Sequence, residues 1–349
     1  MPRTKIAGIG KYLPETIVTN NDLTKVMDTS DEWIQERTGI QERRYAKRFE
    51  DTTATMGAEA ARVAIERAGI TPQDIDFIIF ATLSPDYYFP GCGVLVQRIL
   101  NIPNIPALDI RNQCSGFVYG ISIADQFIKT GMYKNILLIG SETHSYALDF
   151  STRGRNVSVI FGDGAGAVVL QPTEKENQGI LSTHLHSDGT EAEMLSMPNP
   201  GFHAGKFWGA VKPEQPQPPY GGMFITQSLL DKEDLYPYMD GPAVFKKAVV
   251  KMPEVVHEAL KQNNLQTTDI DMLVPHQANL RIAQFVQQQL GLSDDKVFNN
   301  IQKYGNTTAA SVPIALCEAW EAGKVKEGDL VCLAAFGSGF TWGSALLRW

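Results

Sequence analysis

Residues 110–120 read Ile110-Arg111-Asn112-Gln113-Cys114-Ser115-Gly116-Phe117-Val118-Tyr119-Gly120. Ahead of them, Ile105-Pro106-Ala107-Leu108-Asp109-Ile110 is short and apolar, the pattern of a buried strand. Behind them, Phe117, Ile121, Ala124 and Ile128 recur at helical spacing up to Gly131. Cys114 is therefore predicted at a strand-to-helix junction, on or just before the first helical turn. Backbone N–H groups at a helix start have no intrahelical partners, and the helix dipole adds partial positive charge there. Both favour a thiolate, so the thiol pKa is expected to fall. Ser115 and Gly116 leave room for a carbonyl beside the sulfur, which is a nucleophile's setting. A buried, inert side chain is the commoner fate of a free cysteine, and position alone does not separate the two readings.

The surroundings of this stretch recur later in the chain. A helix end, a turn and a buried strand at residues 68–80 are echoed at 263–274, down to a shared Asp-Ile-Asp. The apolar strand 135–141 is echoed by Leu330-Val331-Cys332-Leu333-Ala334-Ala335-Phe336. The glycine-rich turn Gly162-Asp163-Gly164-Ala165-Gly166, leading into a strand, is echoed by Gly337-Ser338-Gly339-Phe340. Setting Gly131 against Gly323 brings Cys114 close to Asn306. The echoes keep one order, which predicts an α/β fold of two similar halves, residues 1–175 and 176–349. These would pack as a five-layer α/β/α/β/α body whose equivalent loops converge on one site. The glycine-rich turn spells neither G-x-x-x-x-G-K nor G-x-G-x-x-G and no helix follows it, so a nucleotide-binding loop is rejected.

Residues 5–10 read as a first strand, and Met56, Ala60 and Val63 mark a helix ending near Gly69. Trp33 and Arg37 share a helical face; they either sandwich a flat base or form an exposed cation–π contact. A basic cluster, Arg43, Arg44, Lys47 and Arg48, follows. An insert at about 187–242 is rich in proline and aromatics, as a packed lid, a subunit contact or an elaborate surface loop would be. Beyond it, Phe245, Ala248, Val249, Met252, Val256 and Ala259 trace a helix that Pro253 should kink or split.

With 349 residues, 43% of them hydrophobic, the chain can bury a large core. A net charge of −8 argues against nucleic acid or an anionic membrane as main partner. The four cysteines, Cys92, Cys114, Cys317 and Cys332, form no C-x-x-C pair, so neither a zinc site nor a disulfide framework is indicated. No signal peptide and no stretch of bilayer length is visible. A reducing cytoplasm is expected, and it keeps a catalytic thiol usable.

Two segments of the second half carry further chemistry. In Val274-Pro275-His276-Gln277-Ala278-Asn279-Leu280-Arg281-Ile282 an apolar strand delivers a histidine into a loop before a helix. In Lys303-Tyr304-Gly305-Asn306-Thr307-Thr308-Ala309-Ala310-Ser311-Val312-Pro313 an asparagine sits between a glycine and a small-residue helix start. Singly, such residues are most often a satisfied histidine and an N-cap. Cysteine, histidine and asparagine, each at an element end of converging halves, together point to a site.

These segments resemble β-ketoacyl-acyl-carrier-protein synthase III. So do Cys114-Ser115-Gly116-Phe117, Ile160-Phe161-Gly162-Asp163-Gly164-Ala165-Gly166, Phe336-Gly337-Ser338-Gly339-Phe340-Thr341-Trp342-Gly343-Ser344-Ala345 and the Asp31-Glu32-Trp33-Ile34 to Arg37-Thr38-Gly39-Ile40 stretch. The resemblance covers nearly the whole chain apart from much of the insert. It implies a thiolase fold, a homodimer, no resident cofactor or metal, and acyl-CoA and acyl carrier protein as partners. The implied reaction is a decarboxylative Claisen condensation of an acyl-CoA primer with malonyl-carrier protein. By the same resemblance Cys114 is the acylated nucleophile, and His276 and Asn306 donate to the malonyl thioester carbonyl. The backbone N–H groups of Cys114 and Ser338 form the other oxyanion hole. Trp33, Arg37, Arg155 and Asn279 match the CoA- and pantetheine-binding residues. Lys246 and Arg281 match the basic rim for the carrier protein, and Phe89 the aromatic that lines the partner's acyl pocket across the dimer.

The chain departs from that pattern at Arg111-Asn112-Gln113, where small residues are usual, at Ser338, where a glycine is usual, and in its longer insert. Biosynthetic thiolase fits less well, because its second cysteine in the C-terminal glycine loop is absent. Elongating condensing enzymes have a second histidine where Asn306 stands. Specialised relatives that join two fatty acyl groups, build alkylquinolone or resorcinol precursors, or acylate another nucleophile share the Cys-His-Asn set. A non-catalytic partner subunit would have no need of it.

Overall fold

Runs of apolar, β-branched residues build two mixed sheets. The first contains β1 (Arg3–Tyr12), β2 (Phe77–Ala81), β3 (Ala107–Ile110), β4 (Ile136–Glu142) and β5 (Gly164–Thr173), in the order β1-β5-β4-β2-β3. The second contains β6 (Gly179–Ser187), β7 (Met272–Pro275), β8 (Leu330–Gly337) and β9 (Thr341–Arg348), in the order β7-β8-β9-β6. This computed structural model describes residues 2–201, 225, 227–231 and 235–349.

The pairings match between sheets. From β1 the first sheet runs antiparallel, antiparallel, parallel, parallel. From β6 the second runs antiparallel, antiparallel, parallel. A single parallel bridge, Leu273 to Val297, stands where its fifth strand would be.

The helices that matter for the site are α1 (Asp31–Thr38), α2 (Thr53–Arg67), α3 (Cys92–Ile99), α4 (Gly116–Lys129), α5 (Gly241–Gln262), α6 (Leu280–Leu290) and α7 (Ser311–Glu321). Two of them, α4 and α7, lie between the sheets. Phe117, Ile121, Val312 and Leu316 share one buried cluster with Ile79 and Leu138 of the first sheet and Val274 and Leu333 of the second. On the outer face of the first sheet, Met56, Ala60 and Leu95 of α2 and α3 pack on Ile78 and Ile139. On the outer face of the second, Met252, Val256, Ile282 and Val286 of α5 and α6 pack on Leu273, Cys332 and Leu346. Alternate residues of one strand thus face opposite helix layers, as the period of two requires. The five layers are those expected.

Several expectations need correction. The strand before Cys114 is not buried. It is β3, the edge of its sheet, and Leu108 is 37% exposed because among the described residues no strand pairs beyond it. Pro253 does not split its helix: α5 is helical across it, and Pro253 is itself buried. The apolar face of α5 against the second sheet outweighs one lost hydrogen bond. The repeat register also differs. The 3₁₀ turn Gln113–Ser115 before α4 corresponds to Thr308–Ala310 before α7. Both turns open at positive φ, +43° at Gln113 and +42° at Thr308. Cys114 therefore matches Ala309, and Asn306 lies three residues earlier. The discrepancy arises because α4 has 14 residues and α7 has 11, so counting back from the glycines at their far ends overshoots.

Of the insert, Phe202, Phe207, Trp208, Tyr220, Phe224 and the prolines from Pro213 to Pro219 lie outside the described residues. Its two ends are joined, with Leu195 and Ser196 pairing antiparallel with Met239 and Tyr238. Among the described residues no helix is long and apolar enough to cross a membrane.

Candidate active site

A cavity of about 1510 Å³ opens where the sheets' parallel strands end. Cys114, His276, Asn306, Gly337 and Ser338 all line it. The residues that sequence placed at element ends on two halves are therefore together.

Cys114 is 5% exposed, on the turn that leads into α4. Its sulfur faces two backbone donors, its own N–H and that of Ser338. Gly337, at the end of β8, is pressed against it: a Cβ there would stand 2.6 Å from the Cys114 Cβ and 3.1 Å from its Sγ. The thiol pKa does not fall as expected. Burial pushes it up to about 12, and the Glu142 carboxyl group adds to the rise. The helix end and the two N–H groups act in the other direction but are outweighed by desolvation. Near neutral pH Cys114 is therefore a thiol.

The Gly337 contact makes a prediction. Gly337→Ala has to displace Cys114 or the glycine loop, since the obstacle is the cysteine itself. Acylation of Cys114, read as CoA release, is expected to fall roughly 10²-fold, the scale of an ångström's misplacement. An unchanged rate would show that this contact does not position the thiol.

His276 follows β7, held by its N–H on the Ala334 carbonyl at 2.8 Å. The side chain is 2% exposed, and burial pulls its pKa down to about 3, so the ring is neutral. Nδ1 lies 2.6 Å from the Ser311 hydroxyl, while Nε2 is buried and without a partner among the described residues. Gln277 braces the loop: its Nε2 donates to the Pro275 carbonyl, and its Oε1 accepts from the N–H groups of Asn300 and Ile301. Asn306 is 5% exposed, and its Oδ1 accepts the Thr308 N–H at 2.8 Å. That bond assigns the amide and leaves Nδ2 with both its protons for the cavity. A positive φ is strained for a β-branched residue, and the Thr308 hydroxyl is tied to His144 Nε2 at 3.0 Å.

The outlying candidates lie as follows. Trp33 and Arg37 line the cavity, and the Arg37 guanidinium stacks on the indole at 4.4 Å. Arg155 stacks on the same ring at 5.2 Å and donates to the Asp28 carbonyl at 2.6 Å, but does not line the cavity. Asn279 lines it with its amide already engaged: Oδ1 caps α6 through the Arg281 N–H, and Nδ2 donates to the Arg37 carbonyl. Arg281 is exposed and lines the cavity; Lys246 is exposed on α5 and does not. Phe89 is 82% exposed and stands outside its own chain's cavity. Ser338 also donates from its hydroxyl to the Leu195 carbonyl, joining the glycine loop to the base of the insert.

Sequence reading missed several supports. Glu142 ends β4 fully buried and accepts from Thr82 and Ser84 hydroxyls and the Leu83 and Ser84 N–H groups. The one signal was a lone acid ending an apolar strand. Arg43, which the sequence groups with Arg44, Lys47 and Arg48, is fully buried and donates to the Val18 and Val159 carbonyls, against the loop that packs on Gly305.

Comparisons with known proteins point to one family. Residues 108–189 match the family model described as 3-oxoacyl-[acyl-carrier-protein (ACP)] synthase III, and residues 260–349 match the model of its C terminal part. The chain is 47% identical over 345 residues to a β-ketoacyl-[acyl-carrier-protein] synthase III of Yersinia pseudotuberculosis, covering 99% of both chains. It is 44% identical to one of Caldanaerobacter subterraneus, covering 99% of this chain and 97% of that one. The crystal structure of 3-oxoacyl-[acyl-carrier-protein] synthase III from Aquifex aeolicus superposes with a TM-score of 0.87 at 43% identity, covering 99% of this chain and all of that one. With the Cys-His-Asn cavity at the junction of two matched halves, the chain belongs to the β-ketoacyl-acyl-carrier-protein synthase III family.

Proposed function

We propose that this acyltransferase condenses an acyl-CoA primer with malonyl-acyl-carrier protein and so starts an acyl chain. The observation that carries the proposal is the convergence of Cys114, two neutral donors and two backbone N–H groups on one cavity. In the first half-reaction the Cys114 sulfur attacks the primer's thioester carbonyl, and its proton leaves with the CoA thiol. The tetrahedral oxyanion takes the N–H groups of Cys114 and Ser338. In the second, the malonyl C–C bond breaks, CO₂ leaves, and its electron pair forms an enolate on the thioester. His276 Nε2 and Asn306 Nδ2 hold the enolate oxygen, where charge develops. The enolate carbon attacks the acyl-Cys114 carbonyl, and collapse returns the thiolate and releases the 3-oxoacyl thioester. The two thioesters supply all the reacting groups, so the scheme needs no resident cofactor or metal.

Trp33 and Arg37, beside the cavity, are proposed to hold the CoA base, with Arg155 behind them, and Asn279 to pass the pantetheine arm. The exposed β3 edge, with Tyr87, Tyr88 and Phe89 exposed nearby, supports pairing with a second copy. In that homodimer Phe89 would line the partner's acyl pocket. A cytoplasmic location suits four free cysteines.

The test is direct. Purified protein mixed with short, branched or long acyl-CoA and malonyl-carrier protein is expected to form an acyl adduct on Cys114, then CO₂ and 3-oxoacyl-carrier protein. No adduct with any primer would favour a non-catalytic subunit. Carrier docking has its own readout. Lys246→Glu reverses an exposed charge outside the cavity, so KM for malonyl-carrier protein should rise several-fold, by about 1 kcal/mol and more at low salt. Its kcat with free malonyl-CoA should stay unchanged; an unchanged KM removes Lys246 from the docking surface.

A further inference from the structure

Among the described residues the His276 ring has one hydrogen-bonding neighbour, at Nδ1. Ser311, the first residue of α7, is 1% exposed. Its hydroxyl oxygen lies 2.6 Å from His276 Nδ1 and accepts the Gln277 N–H at 3.4 Å. A hydroxyl has one proton to give and two lone pairs to accept with. The Gln277 N–H occupies a lone pair. Among the described residues the only acceptor in reach of the Ser311 proton is Nδ1. The ring is neutral, so it carries one proton, and an Nδ1 that accepts leaves that proton on Nε2. Nε2 is the nitrogen that is buried without a partner beside the cavity.

We infer that Ser311 is a positioning residue: its hydroxyl holds His276 in the Nε2–H tautomer and makes the ring a hydrogen-bond donor to the substrate rather than a base. The inference rests on the proposed role of His276 toward the enolate. In the other tautomer a bare Nε2 lone pair would face the enolate oxygen and repel it. Ser311 is 35 residues from His276 in sequence, and the bond forms only because α7 starts against the end of β7. Asn306 is set in the same manner by the Thr308 N–H, so both donors would be aimed before substrate arrives.

The experiment uses the full-length protein labelled with ¹⁵N-histidine, and its Ser311→Ala and Ser311→Thr variants. In the wild type His276 should show a protonated Nε2 and a bare Nδ1. In Ser311→Ala the Nδ1–H form should become populated. Decarboxylation of malonyl-carrier protein should fall roughly 10- to 100-fold, less than the 10²–10³ typical of losing a donor outright. The rate of Cys114 acylation should stay the same. Ser311→Thr keeps the hydroxyl and should restore both tautomer and rate. A wild-type His276 protonated on Nδ1 overturns the inference whatever the variants do. So does a Ser311→Ala protein that keeps its tautomer and its decarboxylation rate, or one that loses acylation and decarboxylation together. Absence of decarboxylation by the wild type would count against the proposed function instead, and the tautomer would still judge Ser311.

Discussion

Cys114→Ser is expected to abolish condensation, by roughly 10³-fold or more, with the fold unchanged. The serine fits: it is smaller than the cysteine it replaces, and it meets the same two N–H groups, those of residue 114 and of Ser338. What it lacks is an ionisable group of comparable acidity and a base to help it. A serine nucleophile needs an adjacent general base. His276, with burial holding its pKa near 3 and its Nδ1 on Ser311, is in no position to act as one. The thiol meets the same burial, which pushes it up to about 12, yet its thiolate remains far more accessible than an alkoxide. Intact mass after mixing with acyl-CoA reads the first half-reaction, and product formation reads the whole. A serine variant that condenses at the wild-type rate would remove Cys114 from the mechanism.

The second large effect separates the half-reactions. His276→Ala and Asn306→Ala should each still be acylated on Cys114, because the donors at the sulfur are backbone groups that neither change touches. Each should lose malonyl decarboxylation by about 10²–10³-fold, the usual scale for one oxyanion donor. The double variant should lose less than the product of the two, since both groups are proposed to hold the same oxygen. Burial lowers the pKa of His276 from 6.5 to about 3, so its neutral form is already full well above that value. Decarboxylation should therefore show no histidine titration between about pH 5 and 8, where an unperturbed imidazole would change charge. Either variant decarboxylating normally while failing to be acylated would reverse the assignment. A rate step near the ordinary histidine pKa would show that the ring works charged.

Much of this protein is set by local pattern. The strand–Cys114–small-residue–helix junction, the strand that ends at His276 and the glycine turns are each decided by neighbours within a few residues. Hydrophobic period and turn chemistry act at that range. Their repetition in one order was enough to predict two matched halves and five layers. Other features depend on what packs from far away. The rise of the Cys114 pKa comes from burial by the packed chain, with Glu142 adding to it, and its seat needs Gly337 of the other half. β3 is an edge because of sheet order, which its own apolar residues do not encode. Pro253 stays inside a helix because a whole apolar face is buried beyond it. Ser311, Thr308 and Glu142 read locally as ordinary small or strand-end residues. Ser311 bonds His276 across 35 residues, Glu142 bonds Thr82 across 60 and the Thr308 hydroxyl meets His144 across 164, and bonds over such sequence distances exist only once the chain has packed.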